Sequence, residues 1–130
     1  MGIFAAMTLA IDLLARGYRV VITTHSSHVL DIVWAIESMK RQSIEESRKV
    51  ELVSKMLGLQ GGRPDVSKMI ECALRLVFRT YSFFHGQDGR VGSKDISTLD
   101  PGDEDEIVAG WGGLAEYSAR VSDTVAEAAR

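Results

Sequence analysis

Four hydroxyl side chains surround a histidine in the stretch Val20–Asp31, which reads VVITTHSSHVLD. The apolar residues at its start are typical of a strand, and the small polar residues that follow are typical of the first turn of a helix. Open α/β sheets bind their ligands at such strand-to-helix junctions. His25 is therefore the candidate residue for chemistry in this chain.

The neighbouring sequence predicts the elements that would position this histidine. Ile3–Arg16 is rich in Ala, Leu and Ile and is followed by Gly17, which favours the left-handed backbone that ends a helix. Tyr18–Thr23 is apolar enough for a strand buried on both faces of a parallel sheet. A second helix, capped by Ser26 or Ser27, is expected to run to about Arg41. This order of helix, glycine, buried strand and helix predicts an α/β fold.

The middle of the chain has a helical pattern. Ser43 to Glu46 reads SIEE, and this capping-box spacing predicts a third helix that ends near Gly58. The linker Leu59–Pro64 interrupts the pattern, and a fourth helix is expected over about Asp65–Leu76.

From Val77 the pattern changes to the two-residue period of a β-hairpin. The arms are predicted at Val77–Phe84 and Arg90–Thr98, joined by the turn HGQDG with its Asp-Gly pair. His85 lies beside this turn without a second metal-type ligand at a useful spacing, and it is assigned no function.

The remainder of the chain predicts an acidic loop and a closing helix. Asp100–Glu106 carries five carboxylates in seven residues without the regular spacing of a calcium loop, so we expect a solvated loop and no metal site. The last helix is expected to turn one apolar stripe toward the core. The stripe consists of Leu114, Tyr117, Val121, Val125 and Ala128.

The length of 130 residues predicts a single domain or fragment with one core. Within it we expect an α/β unit around His25 over residues 1–36, a helical segment over 37–76, the hairpin over 77–99, and the acidic loop with the terminal helix over 100–130.

Composition excludes several classes of protein. Fifteen basic against 18 acidic residues, with no lysine or arginine block, argue against direct nucleic-acid binding. The apolar N-terminal run is interrupted by Thr8 and Asp12, falls short of the roughly 20 residues that span a bilayer, and lacks the basic start of a signal peptide. We therefore expect a cytoplasmic protein that does not enter a membrane.

The segment around His25 resembles a known family. A strand-like run ending in TTHS, preceded by a helix and a glycine and followed by a helix that starts HVLD, resembles the switch-histidine region of ABC-like P-loop ATPases. It is similar in particular to AAA-type ATP-binding proteins related to the overcoming-lysogenization-defect and SMC-like ATPases. The resemblance covers residues 3–36 and, with less specific motifs, residues 77–117.

The resemblance implies a partial P-loop NTPase-like fold in which VVITTHS is the strand after the Walker B strand. It implies a catalytic role for His25 at the γ-phosphate of ATP and cofactor-binding roles for Thr24 and Ser26. An imidazole N–H is a suitable donor where negative charge develops during phosphoryl transfer. The residues also fit a structural alternative, in which His25 hydrogen-bonds neighbouring backbone and the hydroxyl groups only cap the turn.

The 130 residues lack other motifs that a complete ATPase needs. They contain no Gly-Lys pair of a phosphate-binding loop and no apolar strand ending in Asp-Glu to hold magnesium. We therefore expect a C-terminal fragment or subunit whose site for ATP and Mg²⁺ is completed by a missing N-terminal ATPase portion or a partner chain. Alone, it is expected to be inactive. The alternative is a small noncatalytic α/β interaction domain.

Self-association is a further expectation, because no second parallel strand is evident to pair with Tyr18–Thr23. The first helix is also apolar on nearly every face. The residues expected to form the hidden or shared surface are Ile3, Phe4, Leu9, Leu13, Val20 and Ile22.

Overall fold

The computed structural model describes residues 2–59 and 63–129. These residues form a mixed α/β structure of six helices and one two-stranded antiparallel sheet. The elements are, in chain order, α1 (Ile3–Ala15), α2 (Ser27–Arg41), α3 (Glu46–Met56), α4 (Pro64–Arg75), β1 (Tyr81–His85), β2 (Val91–Asp95), α5 (Glu106–Ala109) and α6 (Leu114–Ala128).

The described chain divides into two compact units. The first contains the residues up to Thr24 together with Asp31–Val77, and the second contains His25–Leu30 together with the residues from Phe78 onward. None of the described helices is long and apolar enough to cross a membrane.

The first helix ends where its glycine predicts. Gly17 has φ +88°, the Gly17 amide donates to the carbonyl of Leu14 at 3.0 Å, and the Tyr18 amide donates to that of Leu13 at 3.1 Å. This pair of bonds is a Schellman motif, which satisfies carbonyls that the end of a helix leaves without partners. Gly17 therefore both ends α1 and sets the direction of the following segment.

A helical core forms the first unit, in which α4 packs against both α1 and α3. α4 begins with Pro64, whose missing N–H costs nothing at the first helical position. Lys40, near the end of α2, pairs with Glu37 and donates a hydrogen bond to the carbonyl of Leu76 beyond α4. The buried apolar side chains of this unit are Met7, Ala10, Ile11, Ile32, Val33, Ile36, Val50, Val53, Leu57, Ile70, Ala73 and Leu74.

The hairpin predicted from the change of period is confirmed, with arms shorter than expected. β1 and β2 pair in antiparallel register, with Tyr81 opposite Asp95 and Phe83 opposite Ser93. Gly89, with φ +74°, lies in the turn, and Asp88 accepts a hydrogen bond from the Arg90 amide at 3.0 Å. The Asp-Gly pair thus supplies both the left-handed residue and a side-chain acceptor that the turn uses.

Alternate amides of the hairpin should differ in hydrogen exchange. The Gly86 amide donates to Arg90 and the Ile96 amide donates to Thr80, so the two-residue repeat of an antiparallel ladder bonds even-numbered residues of the two strands to each other. We expect slow exchange at the even-numbered strand amides and fast exchange at the odd-numbered amides of β1, measured by NMR. Uniformly fast exchange in both arms would show that the ladder does not form in solution.

The buried apolar side chains of the second unit are Leu30, at the start of α2, and Ile96, Leu99 and Val108, which follow the hairpin. The indole N–H of Trp111 donates to the carbonyl of Leu99 at 3.2 Å. Gly112 and Gly113 follow with φ +71° and +87°, and they lead directly into α6.

Substitution of Gly112 should destabilise the protein more than the same change at its neighbour. A Cβ at Gly112 would collide with the side chain of Ser82, whereas one at Gly113 would meet no atom within 4 Å. Both changes place an alanine in left-handed backbone, and Gly112→Ala adds the collision. We expect the free energy of unfolding in urea to fall by about 1 kcal/mol for Gly113→Ala and by about 2–4 kcal/mol for Gly112→Ala. Adding Ser82→Gly should remove the extra loss that Gly112→Ala shows over Gly113→Ala. Equal losses in the two single variants would contradict the steric argument.

The predicted buried strand at Tyr18–Thr23 is wrong for this structure. Residues 18–24 belong to no helix or strand, and Val21 is 90% exposed. A strand needs a neighbour for its backbone N–H and C=O groups, and the one sheet among the described residues consists of β1 and β2 alone. Residues 18–24 pair with no strand among the described residues.

Two expectations about helices also differ from the structure. α3 begins at Glu46 with Glu45 at its N-cap and no side-chain cap, so the capping box starting at Ser43 does not form. Val121 and Val125 on α6 are 47% and 65% exposed, so the terminal stripe does not face a core at these positions. Burial of a stripe requires a facing element, which amphipathic spacing alone does not supply. The side chain of Tyr117 lies outside the described residues.

Candidate functional site

The candidate residues lie on the segment that leads into α2. Thr24 and Ser26 are half-buried and His25 is exposed. α2 begins at Ser27 immediately after them and continues for 15 residues. The three residues predicted to act together therefore lie consecutively just before a helix of 15 residues, and His25 is accessible from solvent.

The first turn of α2 favours a negatively charged ligand. Its N-terminal amides have no partner within the helix, and the helix dipole places partial positive charge at this end. The first turn contains no acidic residue to neutralise that charge. The hydroxyl group of Ser26 and the imidazole of His25 are additional donors next to these amides. This donor set has the chemistry of an anion site.

The strand expected to hold His25 is absent from residues 18–24 in this structure. His25 therefore follows an irregular segment rather than the carboxyl end of a parallel strand. Preorganised donors are effective because their position is held before the ligand arrives. The described residues thus supply hydrogen-bond donors, whereas a sheet that holds them in place would have to be supplied by another chain or segment.

The two other histidines lie within regular elements. His28 is exposed on the second residue of α2, and His85 is exposed at the end of β1. No set of three or more His, Cys, Asp or Glu side chains is placed to hold a metal ion within residues 2–59 and 63–129.

The acidic segment is more ordered than a solvated loop. Asp105 caps the short helix α5 by accepting from the Ile107 amide at 2.9 Å, and it also pairs with Lys94 of β2. Asp100 and Asp103 each accept a hydrogen bond from the backbone amide two residues later. These carboxylates stabilise turns and a helix start, as Asx turns and caps do.

Sequence reasoning missed α5 and the Lys94–Asp105 pair. Asp105 lies directly before Glu106 and the apolar residues Ile107, Val108 and Ala109, and this order is an N-cap signal that could have predicted the helix. The pairing with Lys94 had no comparable signal, because it joins residues 11 positions apart in the chain through tertiary structure.

Comparisons with known proteins leave the site to be interpreted from its own chemistry. No protein-family model matches the chain, and no curated protein or solved structure is significantly similar to it.

Proposed function

We propose that this chain is a subunit or C-terminal fragment of an ABC-like, AAA-type P-loop ATPase, in which His25 contacts the γ-phosphate of ATP. The observation that carries the proposal is the exposed imidazole of His25, two residues before Ser27, the first residue of α2. The proposal also rests on the resemblance of the residues around TTHS to the switch-histidine region of that family. A partial P-loop NTPase-like fold is part of the same proposal.

The donor set fits a phosphate group. In the assembled ATPase, the imidazole N–H of His25 would donate to a γ-phosphate oxygen, and the hydroxyl groups of Thr24 and Ser26 would hold the neighbouring backbone or the nucleotide. ATP bound with Mg²⁺ supplies the phosphoryl group that is transferred. The described residues contain no cluster of metal ligands. We therefore assign Mg²⁺ binding to the N-terminal ATPase portion or partner chain, which would carry the apolar strand ending in Asp-Glu.

This division of roles predicts that the purified chain does not hydrolyse ATP. Phosphoryl transfer depends on positioning and on charge stabilisation by several groups, and the 130 residues contain no phosphate-binding loop. We expect no magnesium-dependent phosphate release above the buffer rate in a coupled assay. Turnover that disappears in His25→Ala would overturn this prediction.

An NMR titration of the chain tests the phosphate contact itself. We expect inorganic phosphate and ATP, added separately, to shift the imidazole signals of His25 and the amide signals at the start of α2. His85 is a suitable internal control, because it is also exposed but lies at the end of a strand. Equal shifts at the two histidines would indicate nonspecific ion effects and would refute a phosphate site at His25.

The second candidate function is a noncatalytic interaction domain in which TTHSS is only a capped turn. It is favoured by the apolar side chains that the chain leaves exposed, such as Val21 at 90% and Phe83 at 72%. The same titration separates the two candidates, because an interaction domain requires no response of His25 to phosphate.

A further inference from the structure

The segment Arg19–Thr23 has the composition of a strand but no strand partner. It reads RVVIT, and β-branched residues are enriched in strands. No hydrogen bond joins its backbone to another residue in the described part of the chain, and Val21 and Ile22 are exposed. This segment therefore offers both backbone groups and apolar side chains to another molecule.

The outer edge of β2 offers the matching groups. The ladder with β1 uses even-numbered residues, so the backbone N–H and C=O groups of Val91, Ser93 and Asp95 point away from β1. All three residues are exposed. A two-stranded sheet is only marginally stable by itself, and an open edge is a template for a further strand.

We propose that Arg19–Thr23 of a second copy of this chain adds to the edge of β2 as an antiparallel third strand. The register places Arg19 opposite Asp95, Val21 opposite Ser93 and Thr23 opposite Val91. If each copy both donates and accepts a strand, the two exchanges are related by a two-fold axis and the assembly closes as a dimer. This inference does not depend on the proposed ATPase role.

Charge complementarity selects this register. Arg19 carries the only charge in its segment, and it meets the carboxylate of Asp95. Hydrogen bonds from Ser97 and the charge of Arg79 hold the pKa of Asp95 below its usual value. The Arg79 guanidinium lies 3.8 Å from this carboxylate, so Arg19 would share it with Arg79. A slip by one residue toward the turn would place Arg19 opposite Lys94, and a parallel strand would place it opposite Val91, so both alternatives lose the ion pair.

Shape supports the same alignment. In this register Ile22 lies opposite Gly92, whose missing side chain leaves room for the ring of Phe84. A Cβ at Gly92 would be only 2.7 Å from the Cζ atom of that ring. Phe84 remains 44% exposed, so the side chain of Ile22 can pack on the ring across the glycine.

Proline substitutions at adjacent positions test the pairing by analytical ultracentrifugation. The Val21 amide donates to β2 in the proposed dimer and the Val20 amide points away, whereas neither makes a hydrogen bond in the described single chain. We expect Val21→Pro to raise the dimer dissociation constant about tenfold or more, and Val20→Pro to change it less. Circular dichroism checks that both variants keep their helices. A monomeric native chain at high concentration, or equal effects of the two prolines, would overturn the proposal.

Disulfide trapping tests the register with single-cysteine chains. In a Cys72→Ala background, a chain with Val21→Cys is mixed with a chain of different tag length that carries Ser93→Cys. We expect a mixed disulfide between the two chains, because paired residues in antiparallel strands lie within disulfide reach. A chain with Leu9→Cys, on an exposed site of α1, is the matched control for Val21→Cys. Equal cross-linking of the control, or linkage of Val21→Cys chains only to each other, would refute this strand pairing.

Discussion

In the proposed ATPase, assembled with its phosphate-loop segment, replacing His25 by alanine should lower the rate of ATP hydrolysis by about 10²- to 10³-fold. This is the cost of losing one preorganised donor to a developing charge. The dissociation constant of ATP should change much less, because the contact is strongest in the transition state. Single-turnover hydrolysis and equilibrium nucleotide binding measure the two effects separately.

His28→Ala is the matched control for this prediction. His28 is also exposed and lies three residues away in the first turn of α2, but the proposed mechanism assigns it no contact with the phosphate. Its turnover should stay near that of the unchanged protein. Wild-type turnover in His25→Ala would instead mean that His25 is a structural part of the turn.

Ile70→Ala should produce a large loss of stability in the helical unit. Ile70 is fully buried on α4, the helix that packs against both α1 and α3. Removing its buried methyl and methylene groups leaves a cavity, and we expect a loss of about 2–5 kcal/mol in the free energy of unfolding. Because small domains have about 5–15 kcal/mol in total, this change should shift the urea midpoint strongly.

Val77→Ala serves as the control for Ile70→Ala. Val77 has an aliphatic β-branched side chain of similar chemistry but is 78% exposed. Its replacement should alter the free energy of unfolding by less than about 0.5 kcal/mol. A comparable loss in both variants would show that α4 does not form the centre of the core in solution.

Elements with local causes could be predicted from the sequence. The end of α1 follows from Gly17, which adopts the left-handed backbone that a Schellman motif needs. The hairpin follows from the Asp88–Gly89 pair and the alternating residues around it. In both cases the deciding interactions join residues within a few positions of each other, so the chain encodes them without reference to the rest of the fold.

The candidate site was predictable only in part. The order Thr24, His25, Ser26 and the start of α2 could be derived from side-chain chemistry and capping preference. The absence of a strand before His25 could not be predicted. Apolar residues favour a strand beside a neighbouring strand, but they do not indicate whether that neighbour is present.

The sequence by itself determined the helices α1, α2 and α4, the hairpin turn and the donor types around His25. Only the tertiary structure decided that Val21 is exposed, that Val121 and Val125 on α6 are exposed, and that Asp105 pairs with Lys94. The physical reason is that burial and strand pairing depend on a partner surface distant in the chain, whereas turns and helix ends depend on nearby backbone groups.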